Sequence, residues 1–343
     1  MCEPKLQKKE PREMNLGSSY QEIQLSQYAQ AILQTNGKKT LTNLSKTTNT
    51  SYNQMRFAAN TSDGQNYQIM LALKCIAQST LGSSGKYLVA DDTKIPKIHA
   101  KKIEKLIVDR NGSTNQNDLG LRVITAIETD GNVIIPIRAE PYVTKKIGKS
   151  DYKTKSSILI EILKDSSIDF KSNRVLADAH FSTHESVDHL TAEGVNYLMK
   201  VTCTKSAQIG NTTGQLKNIL RLRKNQRRVS KAGFFNGNPC YFHVVKIKKD
   251  IVVYFISNDS IDDTAIIDLY RIRWNIELFH RTAKQLLGFS DCQLLSTKKQ
   301  KHHMLSVMTA YAQANIQAHL QGFSSVDSFI NHYRDAKDTL IMY

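Results

Sequence analysis

The chain is 343 residues long, with 40% hydrophobic and 23% charged residues, a composition typical of soluble globular proteins with a substantial core. Its formal net charge of +16 favours polyanionic partners, and nucleic acid is the first of these to consider. The apolar runs are far shorter than the roughly 18 residues that a membrane span requires, so no membrane partner is expected. We expect no secretory signal, and five scattered cysteines without a C-x2-C pair fit a reducing cytoplasm rather than structural zinc.

The N-terminal part is predicted to be a tail followed by helices. Residues 1–18 lack hydrophobic periodicity and are predicted to form a mobile tail. Residues 19–84 are predicted to be a helical region, with one helix from Tyr20 to about Gln34 and Ser51 as the N-cap of a later helix. A short helix, a turn and a capped second helix are compatible with a DNA-binding helix-turn-helix. An ordinary helical accessory bundle fits the same residues.

The hydrophobic period changes at residue 85. The run KYLVADDT begins with a short apolar stretch that is predicted to be a strand, and two carboxylates, Asp91 and Asp92, follow it at once. A strand end is a rigid place for a metal ligand, although Asp is also an ordinary turn residue. Two β-rich runs then follow, from Leu119 to Glu128 and from Asn132 to Arg138. The Asp130-Gly131 pair between them predicts a hairpin.

Residues 85–202 as a whole are predicted to be the first part of an α/β core. After the hairpin come a predicted helix, the strand NRVLAD ending at Asp178, another helix and the strand NYLMKVT. Strand, hairpin, helix, strand, helix and strand is the order of a ribonuclease-H-like core. In such a core, acidic residues lie at the ends of the first and fourth strands.

Residues 203–260 carry an unusual excess of positive charge. Eleven Lys and Arg residues lie between 203 and 258, against the single acidic residue Asp250. The second half alternates like antiparallel strands, with a turn predicted at Lys249-Asp250. We predict a basic, mostly β insertion before the last core helix, and a solvated basic loop is the alternative.

Residues 261–290 contain the only Trp of the chain and a distinctive polar row. Apolar residues recur at three- and four-residue steps from Asp268 onward and predict one amphipathic helix that ends near Gly288. A second row on this helix consists of Tyr270, Arg273, Glu277 and Lys284. Taken alone, such a row is also what a solvated helix face with an Arg–Glu pair shows.

The spacing Y-x2-R-x3-E-x6-K within WNIELFHRTAKQLLG resembles the signature of DDE transposases of bacterial insertion sequences, in the branch named after insertion sequence four. The VLAD-x-x-F-S context of Asp178 resembles the second acidic segment of that family. Asp91, with Thr93 two positions later, resembles the first, and Asp92 is the reserve. The resemblance implies that Asp91, Asp178 and Glu277 are the catalytic residues and the ligands of two divalent metal ions, Mg²⁺ or Mn²⁺.

The resemblance also implies partners and DNA-binding residues. Double-stranded DNA, as terminal inverted repeats of the element and as target DNA, is bound by a homodimer in the bacterial cytoplasm at the nucleoid. Tyr270, Arg273 and Lys284 are expected to hold phosphates near the cut. By the same resemblance, the basic insertion is expected to contact DNA, with Arg221, Arg223, Arg227 and Arg228 as the candidate residues. A Trp of the insertion can hold an extruded base in that family; this insertion has none, and the candidate substitutes are Phe234, Phe235, Tyr241 and Phe242.

The implied activity is metal-dependent cut-and-paste transposition, with hydrolysis at the element ends followed by strand transfer to target DNA. The alternatives are a ribonuclease-H-like nuclease that cuts without joining, and an inactive DNA-binding remnant. Residues 291–343 are predicted to form C-terminal packing helices. Five histidines are interpreted as surface or helix-end residues, because no metal-binding spacing accompanies them. They are His180, His184, His189, His302 and His303.

Overall fold

The structure is a computed structural model that describes residues 20–58, 63–82, 86–110, 115–143, 145, 152–164, 174–248 and 251–336. The predicted tail and the predicted turn at Lys249-Asp250 lie outside these residues. The helices are α1 (Tyr20–Gln34), α2 (Leu41–Thr47), α3 (Tyr52–Ala58), α4 (Asp63–Leu81), α5 (Lys155–Lys164), α6 (His184–Ala192), α7 (Leu216–Ile219), α8 (Ile266–Arg271), α9 (Trp274–Gln285), α10 (Thr297–Leu320) and α11 (Val326–Ala336). The strands are β1 (Tyr87–Pro96), β2 (Ile107–Arg110), β3 (Asn117–Thr129), β4 (Ile134–Tyr142), β5 (Arg174–Ala177), β6 (Asn196–Val201), β7 (Ser206–Ile209), β8 (Thr212–Gln215), β9 (Arg228–Phe235), β10 (Asn238–Lys248) and β11 (Ile251–Ser257).

One mixed sheet organises the fold. Its order is β2-β3-β1-β5-β6-β11-β10-β9-β7-β8, and β4 pairs with β3. Strand β1 is antiparallel to β3 and parallel to β5, and β5 is parallel to β6. The predicted order of strand, hairpin, helix, strand, helix and strand is therefore observed. Strand β2 was not predicted from the sequence; it pairs antiparallel with the first residues of β3.

The strands of residues 203–260 extend the same sheet. Strand β11 pairs antiparallel with β6, from Tyr254 opposite Val201 to Ser257 opposite Leu198. This pairing covers the edge of β6, which would otherwise present unpaired backbone groups. The guanidinium of Arg174 donates two hydrogen bonds to the carboxylate of Asp259, at 2.7 and 2.5 Å, and further ties the end of this segment to β5.

Helices pack against the sheet and build the core. Helix α9 contacts β1, and α10 lies along β4. The rings of Phe279 on α9 and Tyr311 on α10 meet edge to face with centroids 5.0 Å apart, and both are at most 1% exposed. Burying a Phe side chain of this kind stabilises the fold by about 1.5–3 kcal/mol. This contact fixes α9, which carries part of the candidate site, against the rest of the core.

Two histidines of α10 correct an expectation. His302 and His303 are 1% and 0% exposed, so the prediction that they are surface or helix-end residues is wrong. His303 Nδ1 lies 3.0 Å from the hydroxyl of Tyr28 on α1, and its Nε2 lies 2.9 Å from the carbonyl oxygen of Gly288. Partners for both ring nitrogens make burial of the imidazole tolerable.

The N-terminal helices contact one another and the C-terminal half. Helices α1, α2 and α3 contact each other pairwise, and α1 and α4 pack on α10. Ser51 is the predicted cap: its Oγ accepts a hydrogen bond from the Gln54 amide at 3.2 Å, and Gln54 Oε1 accepts one from the Ser51 amide at 2.9 Å. This reciprocal pair is a capping box. Across the described parts of the chain, no helix combines the length and hydropathy needed for a membrane span.

Candidate active site

Strand register brings two of the predicted acidic residues side by side. In the parallel pair of β1 and β5, the last paired residues are Ala90 and Ala177. Asp91 and Asp178 directly follow them, so the two acidic residues lie at neighbouring positions at the same end of this strand pair. Strand β5 ends there, whereas β1 continues to Pro96 and is longer than predicted. Asp178 Oδ1 accepts a hydrogen bond from the amide of His180 at 2.8 Å. This contact turns the chain immediately after the carboxylate.

Asp91 and Asp92 point to opposite faces of the sheet, as successive residues of a strand do. Asp92 pairs with the guanidinium of Arg122 at 3.0 Å and with the ammonium of Lys155 at 2.6 Å. It also accepts a hydrogen bond from the hydroxyl of Tyr142 at 3.3 Å. Asp92 is therefore engaged on the α5 side of the sheet, and Asp91 lies on the face that carries Glu277.

The single helix predicted from Asp268 to near Gly288 is divided into α8 and α9. At the junction the Arg273 amide donates to the Tyr270 carbonyl at 3.0 Å, and the Ile276 amide donates to the Arg273 carbonyl at 3.2 Å. Bonds between residues three apart tighten the backbone into a 3₁₀ turn, in which side chains three apart eclipse. The guanidinium carbon of Arg273 accordingly lies 5.7 Å from the ring centroid of Tyr270.

Arg273 bridges two acidic residues from different elements. Its Nη1 donates to Asp91 Oδ2 at 2.7 Å, and its Nη2 donates to Glu277 Oε1 at 3.3 Å. The side chains of Arg273 and Asp91 are 16% and 11% exposed, whereas that of Glu277 is 38% exposed. The site is thus closed on the β1 side and open toward solvent at Glu277.

Asp178 and Glu277 are close enough to Asp91 to affect its protonation. Burial raises the pKa of Asp91 to about 7; the Arg273 guanidinium opposes this rise, and the negative charges of Asp178 and Glu277 add to it. Desolvation and neighbouring like charges both disfavour an ionised carboxyl group. The three predicted acidic residues therefore form one electrostatic neighbourhood.

The remaining two residues of the polar row also turn inward. The ammonium of Lys284 donates to Thr93 Oγ1 at 2.5 Å, and burial lowers the pKa of Lys284. The hydroxyl of Tyr270 lies 3.5 Å from the carbonyl oxygen of Ala177, and its ring meets that of Phe255 edge to face at 4.8 Å. Burial raises the pKa of Tyr270.

A cavity of about 530 Å³ opens beside these residues. Its polar wall includes Asp178, Lys200, Tyr270 and Arg273, and Phe255 contributes to its apolar wall. Its volume lies in the range of small-molecule sites, and its wall places cations next to a carboxylate. Residue spacing along the chain does not indicate that Lys200 and Phe255 line this cavity.

The four predicted DNA-binding arginines of residues 203–260 are placed elsewhere. They are Arg221, Arg223, Arg227 and Arg228, and all four are exposed. They lie between α7 and the start of β9. Within the described residues, none of them forms an ion pair with the acidic residues of the site.

The aromatic candidates for holding an extruded base differ in exposure. Phe235 and Phe242 are 0% and 1% exposed and belong to the core, so they are not available for stacking. Phe234 is 45% exposed and Tyr241 is partly exposed. Tyr270, on the cavity wall, was predicted to contact phosphates and not a base.

The donor chemistry of the three carboxylates suits a hard divalent cation. In the arrangement seen, however, no three His, Cys, Asp or Glu side chains of the described residues are grouped so as to hold a metal ion. Oxygens of Asp91 and Glu277 are instead bonded to the guanidinium of Arg273.

Residues 88–312 match the family model of the transposase DDE domain, and the chain belongs to this family. The protein is accordingly an enzyme of the DDE transposase class. Its mixed α/β fold is similar to that of the piggyBac transposase in a cryo-EM structure of a synaptic complex with hairpin DNA. That similarity has a TM-score of 0.53 and 11% identity, and it covers 95% of this chain and 74% of that chain. No curated protein shows significant sequence similarity to this chain.

Proposed function

We propose that this transposase carries out metal-dependent cut-and-paste transposition of an insertion sequence and belongs to the insertion-sequence-four branch. One observation carries the proposal: acidic residues from β1, from the end of β5 and from α9 meet at one electrostatic centre, with the Y-R-E-K residues around it. The sheet order β4-β3-β1-β5-β6 supports a ribonuclease-H-like core. Strands β7 to β11 are then the mostly β insertion before the last core helix, α9.

Asp91, Asp178 and Glu277 are the proposed ligands of two divalent ions, Mg²⁺ or Mn²⁺. Such ions, when bound, activate the attacking oxygen and stabilise the leaving oxygen of an in-line displacement at phosphorus. The chain supplies rigidity: Asp91 is held within the sheet, and Glu277 is held on a helix packed on β1. Each displacement forms one phosphorus–oxygen bond and breaks another, so no covalent enzyme intermediate is required.

The cations of the site are proposed to hold the DNA backbone. Arg273 and Lys200 line the cavity beside Asp178, where a phosphate next to the scissile bond fits. Lys284 approaches β1 from the other end of α9. These groups position the strand without reading its sequence. A water molecule attacks first and leaves a 3′-hydroxyl, which then attacks the opposite strand and, after the resulting hairpin is resolved, target DNA.

The basic insertion is proposed to contribute a large share of the non-specific phosphate contacts with double-stranded DNA, at the terminal inverted repeats and at the target. A homodimer that pairs two element ends in the bacterial nucleoid completes the proposal. The domain divisions at residues 18, 84, 202, 260 and 290 belong to it as well. For residues 19–84, a helix-turn-helix and an accessory bundle are both compatible with the contacts of α1, α2 and α3.

The test uses the full chain with a linear element end and Mn²⁺. Asp91→Asn, Asp178→Asn and Glu277→Gln each keep the size of the side chain and remove a ligand charge. We expect binding close to wild type, because affinity depends mainly on phosphate contacts, and no cleavage. Glu193→Gln is the matched control, since Glu193 is an exposed carboxylate on the C-cap of α6 and is expected to leave cleavage unchanged.

Three outcomes bear on the alternatives. Normal cleavage by Asp91→Asn together with loss in Asp92→Asn would transfer the catalytic role to Asp92. Cleavage by the wild-type protein without any joined product would favour the nuclease that cuts without joining. DNA binding by the wild-type protein without cleavage in Mn²⁺ would favour the inactive remnant, which the presence of all three carboxylates disfavours.

A further inference from the structure

We propose that Arg273 is the internal counter-cation of the acidic centre formed by Asp91, Asp178 and Glu277. Its guanidinium competes with divalent metal for Asp91 and Glu277, and it moves toward a DNA phosphate when metal binds. This inference rests on the proposed function. It assigns the residue two successive partners, carboxylate and phosphate. The metal site and the DNA-holding site thereby become coupled through one side chain.

The contacts of Arg273 are those of a neutralising cation. Two different nitrogens of one guanidinium donate to two carboxylates, 2.7 Å from Asp91 and 3.3 Å from Glu277. A carboxylate as buried as Asp91, 11% exposed, is costly to keep ionised without a partner. The planar fork of Arg can serve two carboxylates at once, which a lysine ammonium does less well.

Competition follows from the space that the guanidinium occupies. A Mg²⁺ ion requires ligand oxygens at about 2.0–2.1 Å in near-octahedral geometry. Arg273 contacts Asp91 Oδ2 and Glu277 Oε1 directly. The guanidinium and a metal ion therefore cannot occupy the space between these two oxygens at the same time. In addition, like charges at this distance repel.

Arg273 differs in this respect from the other cations nearby. The ammonium of Lys284 donates to the hydroxyl of Thr93, not to a carboxylate. Arg271, two residues before Arg273, is 73% exposed and pairs with Asp268 at 2.6 Å. The acidic centre is therefore bridged by Arg273, and Arg271 offers a neighbour of equal charge without that contact.

The structure also provides a place for the released side chain. Arg273 lines the cavity of about 530 Å³ beside Asp178, together with Lys200 and Arg271. Tyr270 forms part of the same wall, and its ring lies 5.7 Å from the guanidinium carbon. A rotation of the long arginine side chain over this ring leads from the carboxylates into the cavity, where a phosphate of the bound strand is proposed to lie.

The test measures Mn²⁺ binding to the full chain without DNA, by isothermal titration calorimetry. Arg273→Gln removes the competing charge and is expected to bind Mn²⁺ about tenfold more tightly or better, given the strength of charge interactions at contact distance. Arg271→Gln changes the net charge equally and, with no DNA present, is expected to match the Mn²⁺ affinity of wild type, because Arg271 pairs with Asp268 and not with a carboxylate of the acidic centre. Without metal, Arg273→Gln should melt at a lower temperature than Arg271→Gln, and Mn²⁺ should restore more of its melting temperature.

Arg273→Lys keeps the charge without the fork, and it decides the question if Arg273→Gln does not fold. We expect Arg273→Lys to bind Mn²⁺ more tightly than wild type does, but less tightly than Arg273→Gln does. Affinities equal to or below wild type in the folded Arg273 variants would overturn the inference. If Asp91→Asn fails to weaken Mn²⁺ binding, the proposed function itself is contradicted. If Asp91→Asn weakens it and Arg273→Gln equals Arg271→Gln, only the role of Arg273 fails.

Discussion

Removal of the exposed arginines of the basic segment should change the salt dependence of DNA binding. Arg221, Arg223, Arg227 and Arg228 are all exposed, so their replacement by Ala removes little packing. Log affinity for B-DNA falls with log salt at about 0.9 per phosphate neutralised, so loss of four contacts makes the slope shallower by at most about 3.6 units. Between about 50 and about 200 mM salt, wild type should then lose up to roughly 150-fold more affinity than the variant.

Fluorescence anisotropy with a labelled duplex over that salt range measures both slopes. A control variant replaces four exposed lysines that lie outside the segment and removes the same charge. These are Lys86, Lys101, Lys102 and Lys164. The reasoning is refuted if the arginine variant keeps the wild-type slope, or if the lysine control flattens it by the same amount, because the effect would then come from net charge and not from this surface.

Two further predictions concern α9 and the buried histidines. Lys284→Gln should lower end cleavage by about 10²-fold through a misplaced strand while melting close to wild type; a large loss in melting with normal cutting per folded molecule would make Lys284 structural. Burial lowers the pKa of His280 to about 3 and those of His243 and His303 to about 4. Below about pH 6.5, the ordinary pKa of His, the unfolded chain binds more protons at these histidines than the folded chain does. The free energy of unfolding should therefore decrease as the pH is lowered, by up to about 1.4 kcal/mol per pH unit for each histidine. Midpoints of urea unfolding between pH 7.5 and pH 5.5 measure this decrease. The raised pKa of Asp91 acts in the opposite direction, but it offsets the effect of only one of the three histidines. Midpoints that do not fall as the pH is lowered would refute the prediction.

The order of elements in the core could be predicted from the sequence. Apolar runs that end in Asp and the Asp130-Gly131 hairpin are local signals, and the strands they predict are those observed. Strand β2 escaped prediction because four residues, half of them charged, carry no clear alternation. The continuity of β6 with β11 escaped it as well, because pairing between strands about 50 residues apart leaves no local pattern.

Predictability within the site follows the same rule. The spacing around Glu277 identified the polar row, but it could not show that Arg273 bonds to Asp91, 182 residues away in the chain. The choice between Asp91 and Asp92 depends on strand register and on partners such as Arg122, and neither is local. The 3₁₀ turn before α9 contains no Gly or Pro to mark it.

The central claim is that Asp91, Asp178 and Glu277 act as metal ligands in DNA cleavage. Replacement of each by Cys substitutes a softer sulfur ligand, which suits Mn²⁺ better than Mg²⁺. Cleavage of a linear element end by each Cys variant, measured in Mg²⁺ and in Mn²⁺ beside wild type, tests the claim directly. We predict that the variants cut nothing in Mg²⁺ and recover cleavage in Mn²⁺, whereas wild type cuts in both; equal activity of the variants in the two metals, whether lost or normal, would contradict it.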